Sequence, residues 1–519
     1  MNHHHHNLTR MLIATLVPML LATLTSCAVG PDYKRPELSA QATPASFKEA
    51  LNWKVAAPGD EIKRGKWWEA YGDRELNALA EQVEINNQNL QVAEAKYRQA
   101  QALSSSARAG FFPTISATAS ETRSRTASSR SSSASNTTGS NTSTGASSSA
   151  SSAISTNHNL SASFSWELDL WGRIRRQVEA NDASAQASAA DLESARLSAQ
   201  ADLASNYFQL RINDTQKQLL NETVIAYAKS LELTRNRYNV GVAGKVDVAQ
   251  AETQLKSAEA QALDFGVQRA QLEHAIALLI GKAPGNFALA ALTSAQWHVA
   301  VPATPLMLPS SLLERRPDIA GAERRAASAN AQIGVAKAAY YPTLSLTGNA
   351  GYSSPSLANW ISAPNRFWSL GPSLAETILD FGKRGAVSDQ AVAAYDQSVA
   401  TYRQTVLQAF LEVEDNLAAL SILEAEAKVQ EEAVRAARES VTLTLNQYKA
   451  GTVSYLNVVS VQTALLANER TAMTLTGRRL AASVGLIKAL GGGWSGGLGA
   501  GLGADAKTGS EAGGAATLQ

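Results

Sequence analysis

Leu160-Ser-Ala-Ser-Phe-Ser-Trp-Glu-Leu-Asp-Leu170 is the stretch that decides the fold, because apolar and polar residues alternate along all of it. Every even-numbered residue in it is apolar, and every odd-numbered residue is Ser, Glu or Asp. Side chains of a strand point alternately to opposite faces, so the pattern predicts a β-strand with one apolar and one polar face. The length suits a strand that crosses an outer membrane, although a half-buried strand of a soluble sandwich would alternate in the same way.

Three weaker stretches raise the predicted number of membrane strands to four per chain, at about 111–121, 342–352 and 367–380. Aromatic residues such as Trp171 and Phe381 stand near the ends of the strands, as in the girdles of membrane barrels. Four strands are too few to close a barrel, and open edges in lipid would leave backbone groups unpaired. We therefore expect identical chains to share one cyclic barrel, and the residues alone leave two and three copies open.

The chain is internally duplicated, because three motifs occur twice in the same order: Phe111-Phe-Pro-Thr-Ile-Ser116 and Tyr340-Tyr-Pro-Thr-Leu-Ser345, Leu168-Asp-Leu-Trp-Gly-Arg173 and Ile378-Leu-Asp-Phe-Gly-Lys383, Tyr238-Asn-Val-Gly241 and Tyr448-Lys-Ala-Gly451. The first pair is 229 residues apart (340 − 111), and the other two are 210 apart (378 − 168 and 448 − 238). The first half thus has 19 extra residues (229 − 210), which fall in the Ser-rich tract 128–153. A polar insertion inside a repeat predicts a long solvent-facing loop.

Long helices are predicted for the rest of each half. The runs 173–240 and 386–450 contain no glycine or proline, and apolar residues recur at intervals of seven, as at Val224, Leu231 and Tyr238. This spacing is typical of coiled-coil helices, which at about 1.5 Å per residue would each reach roughly 100 Å. Each run ends at a glycine-bearing turn and a second helical run follows, which predicts two antiparallel helical hairpins per chain.

The N-terminus has the form of a secretory signal. Arg10 precedes an apolar run, 11–24, that is too short to span a bilayer comfortably, and small residues follow it. Leu24-Thr-Ser-Cys27 resembles the box of bacterial lipoproteins, which implies that Cys27 becomes the mature N-terminus and carries N-acyl and S-diacylglycerol lipid. Ala28 follows, and in lipoproteins of many Gram-negative bacteria such a residue favours sorting to the outer membrane.

Composition argues against several classes of function. The 519 residues include 46 Lys and Arg against 45 Asp and Glu, and this net charge of +1 does not suit nucleic-acid binding. The histidines beyond the signal, His158, His274 and His298, lack metal-ligand spacing, so we expect no metal site. Asp380-Phe-Gly382 matches the magnesium-binding triplet of protein kinases, but the sequence lacks the Gly-rich and catalytic loops that accompany this triplet in kinases. The sequence contains no motif that would bring a nucleophile and a base together, and we expect neither an enzyme activity nor a cofactor.

Three blocks carry a resemblance to a known family: Cys27-Ala-Val-Gly-Pro-Asp-Tyr33, Trp67-Trp-Glu-Ala-Tyr-Gly-Asp73, and Leu312-Leu-Glu-Arg-Arg-Pro-Asp-Ile319 ahead of an aromatic-Pro strand start. From Cys27 to about Leu490 the chain resembles the outer-membrane efflux lipoproteins of the TolC-like, NodT-type family. The resemblance implies a homotrimer with a twelve-stranded outer-membrane barrel above a long α-helical periplasmic tunnel. Such a duct is the exit of a tripartite multidrug-type pump. A periplasmic adaptor joins it to an inner-membrane transporter, usually a proton-driven one of the RND type.

The fold class implied is an α+β membrane protein with an internal duplication. Its predicted divisions are a signal peptide at 1–26, a lipid-anchored segment at 27–73, a first repeat at 74–281 with its loop at 122–159, a connector at 282–311, a second repeat at 312–490, and a disordered Gly-rich tail at 491–519.

The resemblance also implies roles for the two turns. The adaptor-facing tips would be Gly241, Val242, Ala243 and Gly244 in the first hairpin and Gly451, Thr452, Val453 and Ser454 in the second. The gate, which opens by an iris-like shift of the hairpins, would involve Asp247, Tyr455, Asn457 and Ser460. The family commonly has acidic residues at the positions of Asn457 and Ser460, which are neutral here, so no strong cation block is expected. The glycines also have a simpler explanation, since they let the chain reverse.

Three other functions fit parts of the sequence. The outer-membrane exit of a type I secretion system shares this architecture, although the lipid-bearing cysteine and the Gly-Pro-Asp-Tyr opening favour the drug-efflux branch. A lipid-anchored coiled-coil stalk without a pore would not need four alternating membrane strands. An extracytoplasmic hydrolase would need a convergent nucleophile and base. An efflux exit duct is therefore the function that we predict.

Overall fold

The structure is a computed structural model that describes the following residues: 28–37, 47–48, 66–125, 154–292, 297, 299–302 and 315–492. The signal peptide, Cys27, the Ser-rich tract and the tail beyond Gly492 lie outside these residues, and the predictions made for them stay predictions. The chain divides into two compact units. The sheet unit contains residues up to Tyr33, Ala102–Asn181 and Ala329–Ala394, and the helical unit contains Lys34–Gln101, Asp182–Ser328 and the chain from Tyr395 onward.

One antiparallel sheet contains the four strands of the described chain: β1 is Thr114–Arg125, β2 is Ile154–Leu168, β3 is Thr343–Ser354 and β4 is Arg366–Ala375. The strands lie side by side in chain order, so β1 and β4 form the two edges and each is paired on one side only within the described chain. Four is the number of strands that the alternation predicted.

The two faces of the sheet differ in chemistry. The register places Phe164 of β2 between Ile115 of β1 and Gly348 of β3, on the face that also contains Leu370 of β4. The opposite face is lined mainly by Ser, Thr and Asn side chains, together with Glu167 and Phe367, and across it the hydroxyls of paired serines in β1 and β2 lie 2.6 Å apart. The alternation of β2 from Leu160 to Leu168 therefore marks the same two faces on the neighbouring strands.

Several strand ends differ from the sequence prediction: β1 begins at Thr114 instead of near residue 111, and β2 ends at Leu168 instead of at Leu170. The ladder between β1 and β2 extends to the pair of Arg125 and Ile154, where both faces are polar and no alternation marks a strand. At the other end of the sheet, β4 stops at Ala375 instead of near residue 380. Its neighbour β3 begins at Thr343, directly after Pro342, which has no N–H to extend the ladder.

Seven α-helices lie in the described chain: α1 is Arg74–Asn86, α2 is Gln88–Ala109, α3 is Arg173–Asn239, α4 is Lys245–Leu279, α5 is Pro317–Ala338, α6 is Lys383–Ala450 and α7 is Tyr455–Ala489. The two long helices begin 210 residues apart (383 − 173), and so do the helices that follow their turns (455 − 245). These spacings equal the offset between the repeated motifs. Among the described residues, no helix combines the length and the hydropathy that crossing a bilayer requires.

The block at 67–73 is part of the core of the helical unit. Trp67 and Trp68 are each 1% exposed, and the ring of Tyr71 lies 4.8 Å from that of Phe208 on α3. Asp73 begins α1, because its carboxylate accepts hydrogen bonds from two backbone N–H groups of the first turn. Aromatic burial and a capped helix thus explain why this block has its composition.

The Arg-Arg-Pro-Asp block is a helix start, as predicted. Pro317 is the first residue of α5, and the carboxylate of Asp318 accepts from the backbone N–H of Ile319 over 3.0 Å. The side chain of Arg316 pairs with Glu412 of α6 over 2.8 Å and donates to the carbonyl of Ala489 over 3.1 Å. One arginine therefore connects the start of α5 to α6 and to the end of α7.

Candidate functional site at the hairpin tips

The two hairpins turn with the same backbone geometry. Gly241 has a φ of +77° and Gly451 a φ of +80°, in the left-handed region that favours glycine. In each turn the N–H after the glycine donates to the carbonyl five residues earlier, to Arg237 over 2.8 Å and to Gln447 over 3.0 Å. These are the bonds that end a helix in a Schellman motif, so both glycines are required by the turn itself.

The last tip position has no need for glycine. Gly244 has a φ of −81°, and its repeat counterpart Ser454 has a φ of −77°. The N–H of Gly244 donates to the carboxylate of Asp247 over 3.1 Å, so Asp247 caps the N-terminus of α4. The second turn has no side-chain cap bond from Ser454. The carboxylate in the first hairpin thus has a local structural role before any role in a gate is considered.

The predicted tip residues lie at the surface of the helical unit. Six of the eight are exposed: Gly241, Val242, Gly244, Gly451, Thr452 and Ser454. The side chain of Val242 is 63% exposed. The other two, Ala243 and Val453, are half-buried, and Val453 packs against the cluster described below. The exposed residues are placed where a second protein could contact them.

The predicted gate residues fall into different environments. Asn457 and Ser460 are exposed on α7, and Asp247 is half-buried on α4. Tyr455 is 1% exposed, so its side chain has almost no surface with which to touch cargo. Tyr455 would therefore influence a gate through packing, whereas the exposed side chains of Asn457 and Ser460 could line an opening.

Eight buried residues of both hairpins form what we call the tip cluster: Tyr227, Leu231, Ala251, Leu255, Ala258, Tyr448, Tyr455 and Val458. The rings of Tyr448 and Tyr455 meet edge to face, with centroids 5.5 Å apart and an interplanar angle of 61°. Burial raises the pKa of Tyr455 to about 12, and a hydrogen bond with Ser230 opposes part of that rise. The cluster therefore connects the first hairpin to the second by apolar packing.

A cationic clasp covers one side of the tip cluster. The guanidinium carbon of Arg237, at the end of α3, lies 4.7 Å from the ring centroid of Tyr448. The same side chain donates to the carbonyl of Lys449 over 3.1 Å. The hydroxyls of Thr234 and Tyr448 lie 3.3 Å apart. Arg237 was not among the residues predicted from the sequence. Its repeat counterpart is Gln447, and this difference between the two halves is the signal that could have identified it.

A buried polar row lies beside the tip cluster. Gln462 of α7 is 7% exposed, donates to the hydroxyl of Ser230 over 3.4 Å, and accepts from the side chain of Gln254 over 3.5 Å. Polar groups buried among apolar residues fix the register of packed helices, because any slip leaves them without partners. The row therefore holds the two hairpins at one relative height.

Two grooves flank the tip cluster. The larger, of about 540 Å³, lies along α4 and α7 and is lined by uncharged side chains that include Ala249, Thr253 and Thr463. The smaller, of about 390 Å³, lies among α3, α6 and α7 and has Lys229, Lys449 and Glu469 in its lining. Within the described residues no three His, Cys, Asp or Glu side chains converge to hold a metal ion. These surfaces are suited to packing against another protein.

Comparison with known proteins gives a consistent result. Residues 79–282 and 308–492 match the protein family described as outer membrane efflux protein. Over 490 residues the chain is 31% identical to the probable efflux pump outer membrane protein TtgC of Pseudomonas putida, an alignment that covers 94% of this chain and 96% of that protein.

Two further proteins extend the comparison. Over 460 residues the chain is 30% identical to the pyoverdine export outer membrane protein OpmQ of Pseudomonas aeruginosa, with 87% of this chain and 94% of that protein covered. The solved structure of the outer-membrane channel OprN superposes with a TM-score of 0.79 at 28% identity, and the match covers 90% of this chain and 100% of that one.

Proposed function

The chain belongs to the outer membrane efflux protein family, and we propose that three copies of it form the exit duct of a tripartite, multidrug-type efflux pump. The four strands of each copy would contribute to one twelve-stranded barrel in the outer membrane, and the helical hairpins would form a tunnel in the periplasm. Lipid on Cys27 would anchor each copy to the same membrane.

The observation that carries this proposal is the chemistry of the sheet. One face contains Ile115, Phe164 and Leu370, which suits lipid, and the other is lined mainly by Ser, Thr and Asn, which suits water. A single copy leaves β1 and β4 as open edges, and such edges are not tolerated in the hydrocarbon region. Closure by further copies satisfies the backbone and produces a polar channel.

The proposed partners are a periplasmic adaptor and an inner-membrane transporter of the RND type. The exposed tips and the uncharged groove along α4 and α7 offer surfaces for an adaptor helix. TtgC is named as part of an efflux pump, which favours a pump over a type I secretion system or a stalk without a pore. We expect the transporter to select the exported compounds.

The proposed gate is the set of hairpin tips. The tip cluster and the Arg237 clasp would hold the two hairpins of each copy in a closed arrangement, and an adaptor would open it by binding the tips. Asn457 and Ser460 would line the constriction and hydrogen-bond across the threefold axis, and Asp247 would contribute the carboxylate nearest to it. Tyr455 would act by packing.

Planar-bilayer recording of the purified, lipidated protein tests the proposal. We expect small, discrete conductance steps that increase when the tip cluster is weakened. A stalk would give no discrete conductance in wild type or in any tip variant, and that result would refute the duct. Mass measurement in detergent should give three chains per particle.

A further inference from the structure

The arginines of the sheet all lie on its apolar face. The four strands contain three arginines and no lysine: Arg123 and Arg125 of β1 and Arg366 of β4. On β1 the two arginines continue the even spacing from Ile115, and side chains at even spacing share a face. Arg366 is opposed to Tyr352, and Tyr352 is opposed to Leu160, so these three side chains share a face as well. This is the face of Phe164, which we call the lipid-side face, and the polar face has no arginine in the described strands.

The three arginines are at the end of the lipid-side face that is far from the helices. Leu168 ends β2 just before α3, so its end of the sheet joins the helical part of the chain. Arg366 lies eight residues along the ladder from Leu168 (168 − 160), and Arg123 lies twelve residues along it (168 − 156). Between Leu168 and the level of Arg366, the lipid-side face has no charged side chain in the described strands. The charges are therefore confined to one end.

Strand geometry converts these spacings into heights. At about 3.4 Å per residue and a tilt of about 40°, Arg366 is roughly 21 Å above Leu168, Arg123 roughly 31 Å and Arg125 roughly 36 Å. The apolar band of a membrane barrel is about 25 Å tall. The level of Arg366 is thus near the upper edge of the band, and the two arginines of β1 are above it, among the headgroups. An arginine facing lipid is costly at the midplane and is tolerated near an interface, where its long side chain reaches the headgroups.

The pairing of β1 with β2 holds the upper arginines on the lipid side. The last pair of β2 and β3 is His158 with Ser354, whereas the ladder of β1 and β2 continues four residues further, to Ile154 (158 − 154). Side chains alternate in a paired strand, so this extension fixes Arg123 and Arg125 on the side of Phe164. The sequence pattern there does not predict a strand, and a function for these two side chains gives the extension a purpose.

Positive charge exceeds negative charge at this end of the face. Glu121 is the one carboxylate on the lipid-side face of the described strands, and it lies 3.7 Å from Nδ1 of His158. Neither Arg123 nor Arg366 is paired with a carboxylate of the described residues. All three arginines are exposed. Three guanidinium groups against one carboxylate leave an excess of two positive charges (3 − 1).

We propose that Arg123, Arg125 and Arg366 bind the phosphate groups of a phosphorylated glycolipid in the outer leaflet. Planar guanidinium groups pair with phosphate through two parallel hydrogen bonds. The apolar band below them would contact the acyl chains of the same molecule, so one lipid satisfies both parts of the face. A lipid without net charge would use the band and leave the guanidinium groups without counter-ions. The proposal rests on the proposed function, since helices in the periplasm place the other end of the sheet in the outer leaflet.

The test is the binding of bisphosphorylated lipid A to the full-length, lipidated protein in nanodiscs of phosphatidylethanolamine. The variant combines Arg123→Gln, Arg125→Gln and Arg366→Gln. Each cation near an anionic lipid contributes about a fivefold gain in affinity, so we expect the triple variant to bind lipid A about a hundredfold more weakly. Dephosphorylated lipid A should bind the wild-type protein about as weakly as lipid A binds the variant.

A matched control moves the two arginines of β1 to the polar face without changing the composition. It exchanges neighbours, Thr122→Arg with Arg123→Thr and Ser124→Arg with Arg125→Ser, which keeps the net charge and nearly the same height. We expect about twentyfold weaker binding of lipid A, since two of the three cations leave the lipid side. Binding equal to wild type would assign the affinity to net charge and overturn the site. The exchange also carries the test if the Gln variant does not assemble.

Three other results would contradict the proposal. The first is wild-type affinity in the triple Gln variant, and the second is equal binding of phosphorylated and dephosphorylated lipid A. The third is displacement of lipid A by millimolar inorganic phosphate, which would make these arginines a site for free phosphate. Conductance and particle mass keep the duct separate: variants that lose lipid A but keep discrete conductance and three chains per particle retain the proposed function. A wild-type protein without discrete conductance would refute the duct whether or not it binds lipid A.

Discussion

The two hairpin tips share a backbone but differ in side chains. Tyr238 of the first tip is 44% exposed, whereas its counterpart Tyr448 in the second is 3% exposed. The exposed Lys245 corresponds to Tyr455, which is 1% exposed. The duplication has thus preserved the turn, while the second hairpin supplies the buried aromatic pair and the first supplies Arg237 to cover it. We infer that tip closure depends more on Tyr448 and Tyr455 of the second tip than on their counterparts in the first.

The largest expected effect follows from Tyr455→Ala. Truncating a fully buried aromatic side chain typically costs about 3–5 kcal/mol, and the cavity would lie between the two hairpins. Because that packing holds the hairpins together, we expect the ratio of open to closed channels in planar bilayers to rise about a hundredfold or more.

The matched control is Lys245→Ala, at the equivalent position of the first tip. Lys245 is exposed, so its truncation should leave the open probability within about twofold of wild type. Equal effects of the two substitutions would contradict the asymmetry between the tips. Thermal unfolding of both variants separates gate opening from global loss of structure.

A smaller effect is expected from Arg237→Ala. The substitution removes a cation–π contact and a hydrogen bond to the carbonyl of Lys449, together worth about 1–2 kcal/mol at a half-buried position. We expect a rise in open probability of about five- to thirtyfold at most, and weaker closure with Arg237→Lys than in wild type. Gln447→Ala, at the equivalent exposed position of the other hairpin, should change nothing measurable.

Alkaline pH should open the tips through Tyr455. Its pKa in the folded tip, about 12, is above the ordinary value of 10, so the closed tip holds the phenol proton more tightly than an open one. This stabilisation is complete below pH 10 and is lost as the pH rises to about 12. Open probability should therefore rise across that window, and Tyr455→Phe should show a flatter rise. An identical rise in the variant would assign it to other groups.

The comparison of the tips also shows what sequence patterns can predict. Alternation around Phe164 and the absence of glycine and proline in the long helices were enough to predict the strands and hairpins, because backbone periodicity determines both. The repeated motif has a tyrosine at position 238 and at position 448, but heptad spacing does not show which of the two side chains is buried. The burial of Tyr448 depends on residues that are distant from it in sequence, such as Arg237 and Leu255.

The burial of charged side chains could not be predicted from the sequence, for the same reason. From the sequence, Arg211 in the middle of α3 would be expected to lie on the solvent-exposed side of the helix. In the structure it is 0% exposed and pairs with Glu75 and Asp214. It also donates to the carbonyl of Ala290, which attaches the chain after α4 to α3. A composition rule places arginine at the surface, and only the packing of three separate segments shows why this one is inside.

The smallest effect concerns the polar residues that follow the two turns, where the tips differ by one carboxylate. Asp247 caps α4, whereas its counterpart Asn457 is neutral and exposed. Asn457→Asp would place three carboxylates around the proposed constriction, and we expect millimolar Mg²⁺ to reduce conductance several-fold more than in wild type, since like charges held close together bind a divalent cation. Asn457→Ala should raise conductance slightly and leave it insensitive to Mg²⁺. Equal Mg²⁺ sensitivity in Asn457→Asp and wild type would place residue 457 away from the constriction, and the closure of the gate would then depend on the tip cluster and the Arg237 clasp.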